Sequence, residues 1–243
     1  MKTVIFLISL IPLFGGEIDL ALYEKSLYSE QGEDGVIAKL FQIVLPATRS
    51  CVEVGAYDGI THSNTFLLQL QGWNRLLFDR QFEIPTFNLH KEYINAENIN
   101  QIFQKYNVPL LFDLLCIDLE YNSFYVWKAL DPKYSPSVVV IQYNGNHPPD
   151  QDKVVKYRPF YVGDGTDYFG ASILSLYRLG RAKGYSLVYA EQSGKHLFFV
   201  REALLPPETP FRAINQVDRL YRPRSHLYPH DMKARPYLSS EGL

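Results

Sequence analysis

Ser50-Cys-Val-Glu-Val-Gly-Ala-Tyr-Asp-Gly59 is a short apolar run that stops at Gly55 and turns before a second glycine at Gly59. A buried strand leading into a glycine turn is the opening of an α/β unit. Downstream, Ser63–Gln71 reads as a helix closed by Gly72, and Arg75–Asp79 as a second apolar strand ending in an acid. A third strand is placed at Glu92–Asn95 and a helix at Asn98–Lys105. The alternation continues with a strand at Phe112–Asp118, a helix at Ser123–Leu130 and a strand at Ser137–Tyr143. Ala171–Lys183 carries Ile173, Leu174, Leu176, Tyr177 and Leu179 at helical spacing. Tyr185–Tyr189 and His196–Arg201, separated by a loop with Gly194, read as a hairpin. Upstream, Val36, Ile37, Leu40, Phe41 and Val44 mark a helix from Glu33 that Pro46 ends. Strands alternating with helices predict a Rossmann-like, doubly wound α/β fold. Its sheet is mostly parallel and covered on both faces, with an antiparallel C-terminal hairpin at one edge.

The 243 residues suffice for one domain with a substantial core. A net charge of -2 removes the basic excess that general nucleic-acid binding requires. Two cysteines, Cys51 and Cys116, exclude a disulfide scaffold or a thiolate zinc site and read as buried apolar residues. Lys2 followed by an unbroken apolar run to Phe14 and then Gly15-Gly16 fits a signal peptide or hydrophobic leader. It implies export or membrane association, a cytoplasmic N-terminal core element being the alternative. The chain divides into a leader over 1–16, a domain over 17–201 and a Pro-rich, basic tail over 202–243. That tail is expected to lie extended over the domain or to be partly disordered, with Arg219, Arg222, Arg224, Lys233 and Arg235 solvated or touching an anionic surface.

Ligands of open α/β sheets bind beyond the carboxyl ends of the strands, where three features collect. The first is the glycine turn, with Glu53 inside its strand and Gly-x-x-x-Gly at Gly55 and Gly59. It is neither a dinucleotide fingerprint nor a P-loop. The second is Asp79, 20 residues beyond Gly59, where a carboxylate can accept both hydroxyls of a ribose. The third is Asp118-Leu-Glu-Tyr-Asn122, whose two acids alternate and so suit a general base or a hard-cation site. Opposite lie Gln142 and Asn144, neutral amides that can orient a substrate. His147, His196, His226 and His230 have no metal-like spacing with acids and read as structural or solvated.

Ser29-Glu-Gln-Gly-Glu-Asp-Gly35, Val52–Gly59 with Ser63-Asn-Thr65, Gly72-Trp73, Glu97-Asn-Ile-Asn100, Asp118 with Asn122, Tyr168-Phe-Gly-Ala-Ser172, Gly184-Tyr185 and Phe198-Phe-Val-Arg201 occur in this order. Together they resemble the FkbM-type methyltransferase-like family, whose fold is the class I S-adenosylmethionine-dependent methyltransferase sandwich. The resemblance runs from Ser29 to Arg201. It implies S-adenosylmethionine binding, with Glu53, Gly55, Tyr57, Asp58, Gly59 and Asn64 around the glycine turn and Asp79 on the ribose. It also implies methylation of oxygen on sugars, lipids or natural products. The departures fall in the acceptor half. The family's Ile-Asp-Ile-Asp-Gly-Asn-Asp-Tyr is here Ile117-Asp-Leu-Glu-Tyr-Asn-Ser-Phe124, a family Glu is Gln142, and an asparagine expected after Gly194 is missing from Lys195-His196.

The resulting expectation is O-methylation of a small hydroxylated acceptor. Asp118 acts as base, Glu120 as its neighbour or a cation ligand, and Gln142 and Asn144 position the acceptor. A divalent cation is the less favoured variant because position 142 has lost its acid. The alternatives are a catalytically reduced protein that binds a nucleoside or other small ligand, and an exported interaction protein.

Overall fold

A computed structural model describes residues 17–207, 211–226 and 228–243. The leader over 1–16 lies outside the described residues. The elements in chain order are α1 (Glu33–Ile43), β1 (Ser50–Val54), α2 (Phe66–Leu70), β2 (Asn74–Asp79), β3 (Leu89–Lys91), α3 (Ile99–Lys105), β4 (Leu111–Ile117), α4 (Ser123–Ala129), β5 (Ser135–Gln142), α5 (Ile173–Ala182), β6 (Tyr185–Ala190), β7 (His196–Arg201) and α6 (Val217–Leu220).

The seven strands form one sheet in the order β3-β2-β1-β4-β5-β7-β6. β1 to β5 pair in parallel, whereas β7 runs antiparallel to both β5 and β6. The chain is thus an α/β protein with a mostly parallel sheet. The hairpin folds back so that β7, not β6, meets β5.

Alternation along each strand sends side chains to two cores. Leu115, Ile117, Val139, Ile141, Leu197 and Phe199 join residues of α3, α4 and α5 on one face. Leu114, Cys116, Val138, Val140, Phe198 and Val200 join Val36, Ile37, Leu40 and Phe41 of α1 on the other. Both faces being buried explains why β5 reads as a nearly continuous apolar run. Burial raises both thiol pKa values, so Cys51 and Cys116 stay protonated and inert.

Two elements depart from expectation. The third strand is Leu89–Lys91, three residues before Glu92–Asn95, because an isolated bridge between Ile84 and Leu89 sets the chain's direction there. The helix expected from Ser63 begins only at Phe66. Ser63 and Thr65 instead give their hydroxyls to Glu53, at 2.8 and 2.5 Å, which holds them outside the helix.

Gly180 shows how closely α5 lies on the sheet. A Cβ there would sit 2.6 and 2.8 Å from ring atoms of Phe199 and 3.2 Å from Trp127. Alanine in a helix interior ordinarily gains about 1 kcal/mol over glycine. Here both neighbours are buried and overpacking wins, at about 1–3 kcal/mol. Gly180→Ala is therefore expected to lower Tm by roughly 2–10 °C in a thermal melt.

The tail is part of the domain. Leu238 and Val154 exchange backbone hydrogen bonds, and Arg235 pairs with Asp164 and Asp231 over the ring of Tyr168. Together the tail and the 154–170 segment roof the carboxyl end of the sheet.

Candidate functional site

The strand order reverses between β1 and β4, and a cavity of about 320 Å³ opens beyond their carboxyl ends. That volume lies at the lower end of small-molecule sites, about 300–1,000 Å³. Gly55, Tyr57, Asp79, Asp118, Glu120 and Gln142 of the expected residues line it. Glu53, Asp58, Gly59, Asn64 and Asn144 do not.

The reasons are local. Glu53 shares its strand face with Cys51, so its side chain turns toward the 63–65 segment. There it accepts from the Asn64 N–H at 2.9 Å besides the two hydroxyls. Burial raises its carboxyl pKa, against these hydrogen bonds and the nearby Arg75. Asp58 caps its own turn, accepting from the N–H groups of Ile60 and Thr61. The Asn144 amide donates to the carbonyls of Asp167 and Phe169 at 2.9 and 2.8 Å, fastening the roof segment to β5.

At one end of the cavity, Asp79 accepts from the N–H of Tyr57 at 3.0 Å and of Gln81 at 2.7 Å. With a third bond from the Phe82 N–H at 3.2 Å, these fix the carboxylate beside Phe78, Tyr93 and Ile94 and leave one acceptor site, on Oδ2, for a further donor. Gly55 has φ +86, and a Cβ there would meet the Asp118 carbonyl at 2.0 Å, so β1 and β4 can open side by side only with glycine.

Asp118 lies in a chain of charges. Its Oδ2 is 3.0 Å from Lys195 Nζ and 3.3 Å from His196 Nε2. Lys195 also pairs with Glu30, and His196 Nδ1 lies 2.6 Å from Glu33 Oε1. Burial alone would raise the Asp118 pKa, but Lys195 and His196 hold it far below the carboxylate range. Reciprocally, burial would lower His196, yet Asp118 and Glu33 push it up to about 9. Asp118 is therefore a fixed anion, and so stable a carboxylate has little affinity for a proton.

Glu120 contrasts with it. Among the described residues no hydrogen bond or ion pair holds its carboxylate, and its backbone sits at φ +50, a left-handed conformation uncommon outside glycine. It reaches water through the mouth of the cavity. The desolvating walls, then the charge of Asp118, raise its pKa above the ordinary value. At the deep end, Gln142 is 4% exposed and its Oε1 has no hydrogen-bond partner.

Neither Tyr121 nor Ser123 lines the cavity. Tyr121 is fully buried beneath the roof and donates to the Lys156 carbonyl at 2.9 Å, while Ser123 Oγ accepts from the Leu119 N–H at 3.0 Å. Sequence reasoning gave Lys195 no role in the site, read His196 as structural or solvated, and read Arg224 as solvated or touching an anionic surface. Instead, Lys195 and Arg224 line the cavity and His196 lies 3.3 Å from Asp118. The signal for the first two was their place at the start of the strand beside β5, where His196 registers with Gln142. Among the described residues no group of three or more His, Cys, Asp or Glu is arranged to hold a metal ion.

No protein-family model matches this chain, and no curated protein matches it either.

Proposed function

We propose that the chain is an S-adenosylmethionine-dependent methyltransferase of class I fold that methylates a hydroxyl oxygen. The observation that carries this reading is the cavity at the strand-order reversal, lined by both Asp79 and the unengaged Glu120. The insertion of antiparallel β7 between β5 and β6 supports the same family of folds.

The residues present suit the donor. Asp79 Oδ2 would accept from a ribose hydroxyl, and Phe78, Tyr93 and Ile94 would wall the base. Asp79 and Glu120 line the cavity with no ion pair to either among the described residues, which favours a positively charged ligand. When bound, S-adenosylmethionine supplies an electrophilic methyl group on a sulfonium, which departs as a neutral thioether. The cavity would hold the acceptor oxygen in line with that methyl group, so that the carbon–oxygen bond would form as the carbon–sulfur pair stays on sulfur. The hydroxyl proton passes to Glu120, which is water-accessible and raised toward the working range of a base. This assignment replaces Asp118, whose charge is already committed to Lys195 and His196. The protein's main contribution is alignment of acceptor and methyl group.

Calorimetric titration with S-adenosylhomocysteine tests the donor site. Binding is expected, with a matching rise in Tm. Asp79→Asn, which removes the charge from the hydrogen bonds to the ribose, is expected to weaken it roughly 10–100-fold. No binding at millimolar ligand would end the donor assignment.

A further inference from the structure

We propose that the acceptor is a hydroxylated carboxylic acid whose carboxylate is held by Arg224. This deepens the methyltransferase reading and rests on it for the fate of the hydroxyl, although the carboxylate site stands on its own observations. Arg224 comes from the tail, yet it is only 9% exposed and lines the cavity. Among the described residues no carboxylate pairs with it. Its guanidinium lies over the rings of Phe169 and Tyr228, 5.7 and 5.6 Å from their centroids, and donates one long hydrogen bond, 3.5 Å, to the Gly194 carbonyl. Most of its five N–H donors are thus without a protein partner while the residue lines the cavity.

The position is built. The Tyr143 hydroxyl donates to the Arg222 carbonyl at 2.6 Å, the Tyr221 hydroxyl to the Gly145 carbonyl at 2.8 Å, and the Ser225 N–H to the Ser193 carbonyl at 2.8 Å. Chain 222–224 lies so close to Gly145 and Gly194 that a Cβ on either would come within 3.0 Å of its backbone. The tail is therefore held against the turn that carries Lys195, with Arg224 turned inward.

Charge balance selects the ligand. Lys195, the other buried cation of the cavity, is engaged by Glu30 and Asp118. Arg80 also lines the cavity but is exposed, so Arg224 supplies the buried positive charge left to a ligand, in a cavity that Asp118 and Glu120 also line. One carboxylate satisfies it in the forked geometry guanidinium prefers. A phosphate monoester would bring a second negative charge against those acids.

The test is calorimetric titration of the full chain with D-glucuronate, quinate and 4-hydroxybenzoate. Their methyl esters and glucose 6-phosphate serve as comparators, and S-adenosylhomocysteine is titrated separately. At least one acid is expected to bind, its ester at least about 10-fold more weakly. Arg224→Gln should weaken the acid about 10–100-fold, to the level of the ester, and Arg224→Lys should restore part of it. S-adenosylhomocysteine affinity should change less than about threefold in both variants, since that ligand's ribose is held by Asp79 at the opposite end. Equal binding of acid and ester, preference for the phosphate, or no binding across the acids overturns the proposal. So does an Arg224→Gln loss confined to S-adenosylhomocysteine. Arg224-dependent acid binding without S-adenosylhomocysteine binding would keep the carboxylate site and remove the methyltransferase reading. Should Arg224→Gln fail to fold, the acid-against-ester comparison on the unaltered chain decides.

Discussion

Glu120→Gln is expected to lower methyl transfer about 10²–10⁴-fold, the range for loss of a general base, while S-adenosylhomocysteine binds within a few-fold of its original affinity. The amide keeps the shape of the side chain and removes its capacity to take a proton. No hydrogen bond or ion pair depends on that carboxylate among the described residues, so Tm should barely move. Asp118→Asn should behave in the opposite way. It removes the charge that faces Lys195 and His196, so the cost appears first in stability, at about 3–5 kcal/mol for breaking a buried ionic contact. The pair of variants separates a base from a structural anion with one labelled-methyl assay and one thermal melt. Because the Glu120 pKa is raised, its proton is retained to higher pH than in an ordinary carboxylate. Turnover should therefore fall on the acid side at a pH above the usual carboxylate range. Turnover that survives Glu120→Gln within threefold would end this assignment. A chain with no turnover on any acceptor but intact S-adenosylhomocysteine binding would instead support the ligand-binding alternative.

The contrast between the two acids shows where one-dimensional reading stops. β1, β2, β4 and β5 were visible as apolar runs because both faces of the sheet are buried, and the turn at Gly55 announced itself by composition. Alternation also placed Asp118 and Glu120 together at the end of β4. What distinguishes them comes from Lys195 and His196, some 75 residues later, which the antiparallel return of β7 beside β5 brings within ion-pair distance of Asp118. Arg224 was hidden for a similar reason. Its segment has no apolar period, and only the fit against Gly145 and Gly194 converts a proline-rich tail into a wall of the cavity. Glu53 misled in the other direction. Its position inside the glycine motif suggested a ligand, whereas strand alternation commits it to Ser63, Asn64 and Thr65.

Stability should peak near pH 6.5, because two buried histidines are displaced in opposite directions. For His196, burial opposes the proton but Asp118 and Glu33 outweigh it, raising the folded pKa from 6.5 to about 9. Its contribution is complete below pH 6.5 and is lost as pH rises through about 9. Between pH 6.5 and 8 the loss is about 2 kcal/mol, or roughly 4–8 °C in Tm. Lys183, which burial lowers to about 8, works in the opposite sense from about pH 7, so the His196 part is read as the difference between the unaltered chain and His196→Gln. His147 is buried against Asn144 and the Tyr237 ring, and burial, then the charge of Lys153, lowers its pKa to about 4. Its contribution is present above pH 6.5 and declines as pH falls toward 4, again by about 2 kcal/mol between 6.5 and 5. Glu33, held down to about 2 chiefly by His196 against burial, and Asp118 sharpen the loss at still lower pH. Thermal melts from pH 4.5 to 8 should therefore give a maximum, with His196→Gln flattening the alkaline side and His147→Gln the acid side. If either variant fails to fold, ring-proton NMR titration of the unaltered chain supplies the same two midpoints. A Tm that rises steadily from pH 6.5 to 8 would mean that His196 does not hold its proton between Asp118 and Glu33.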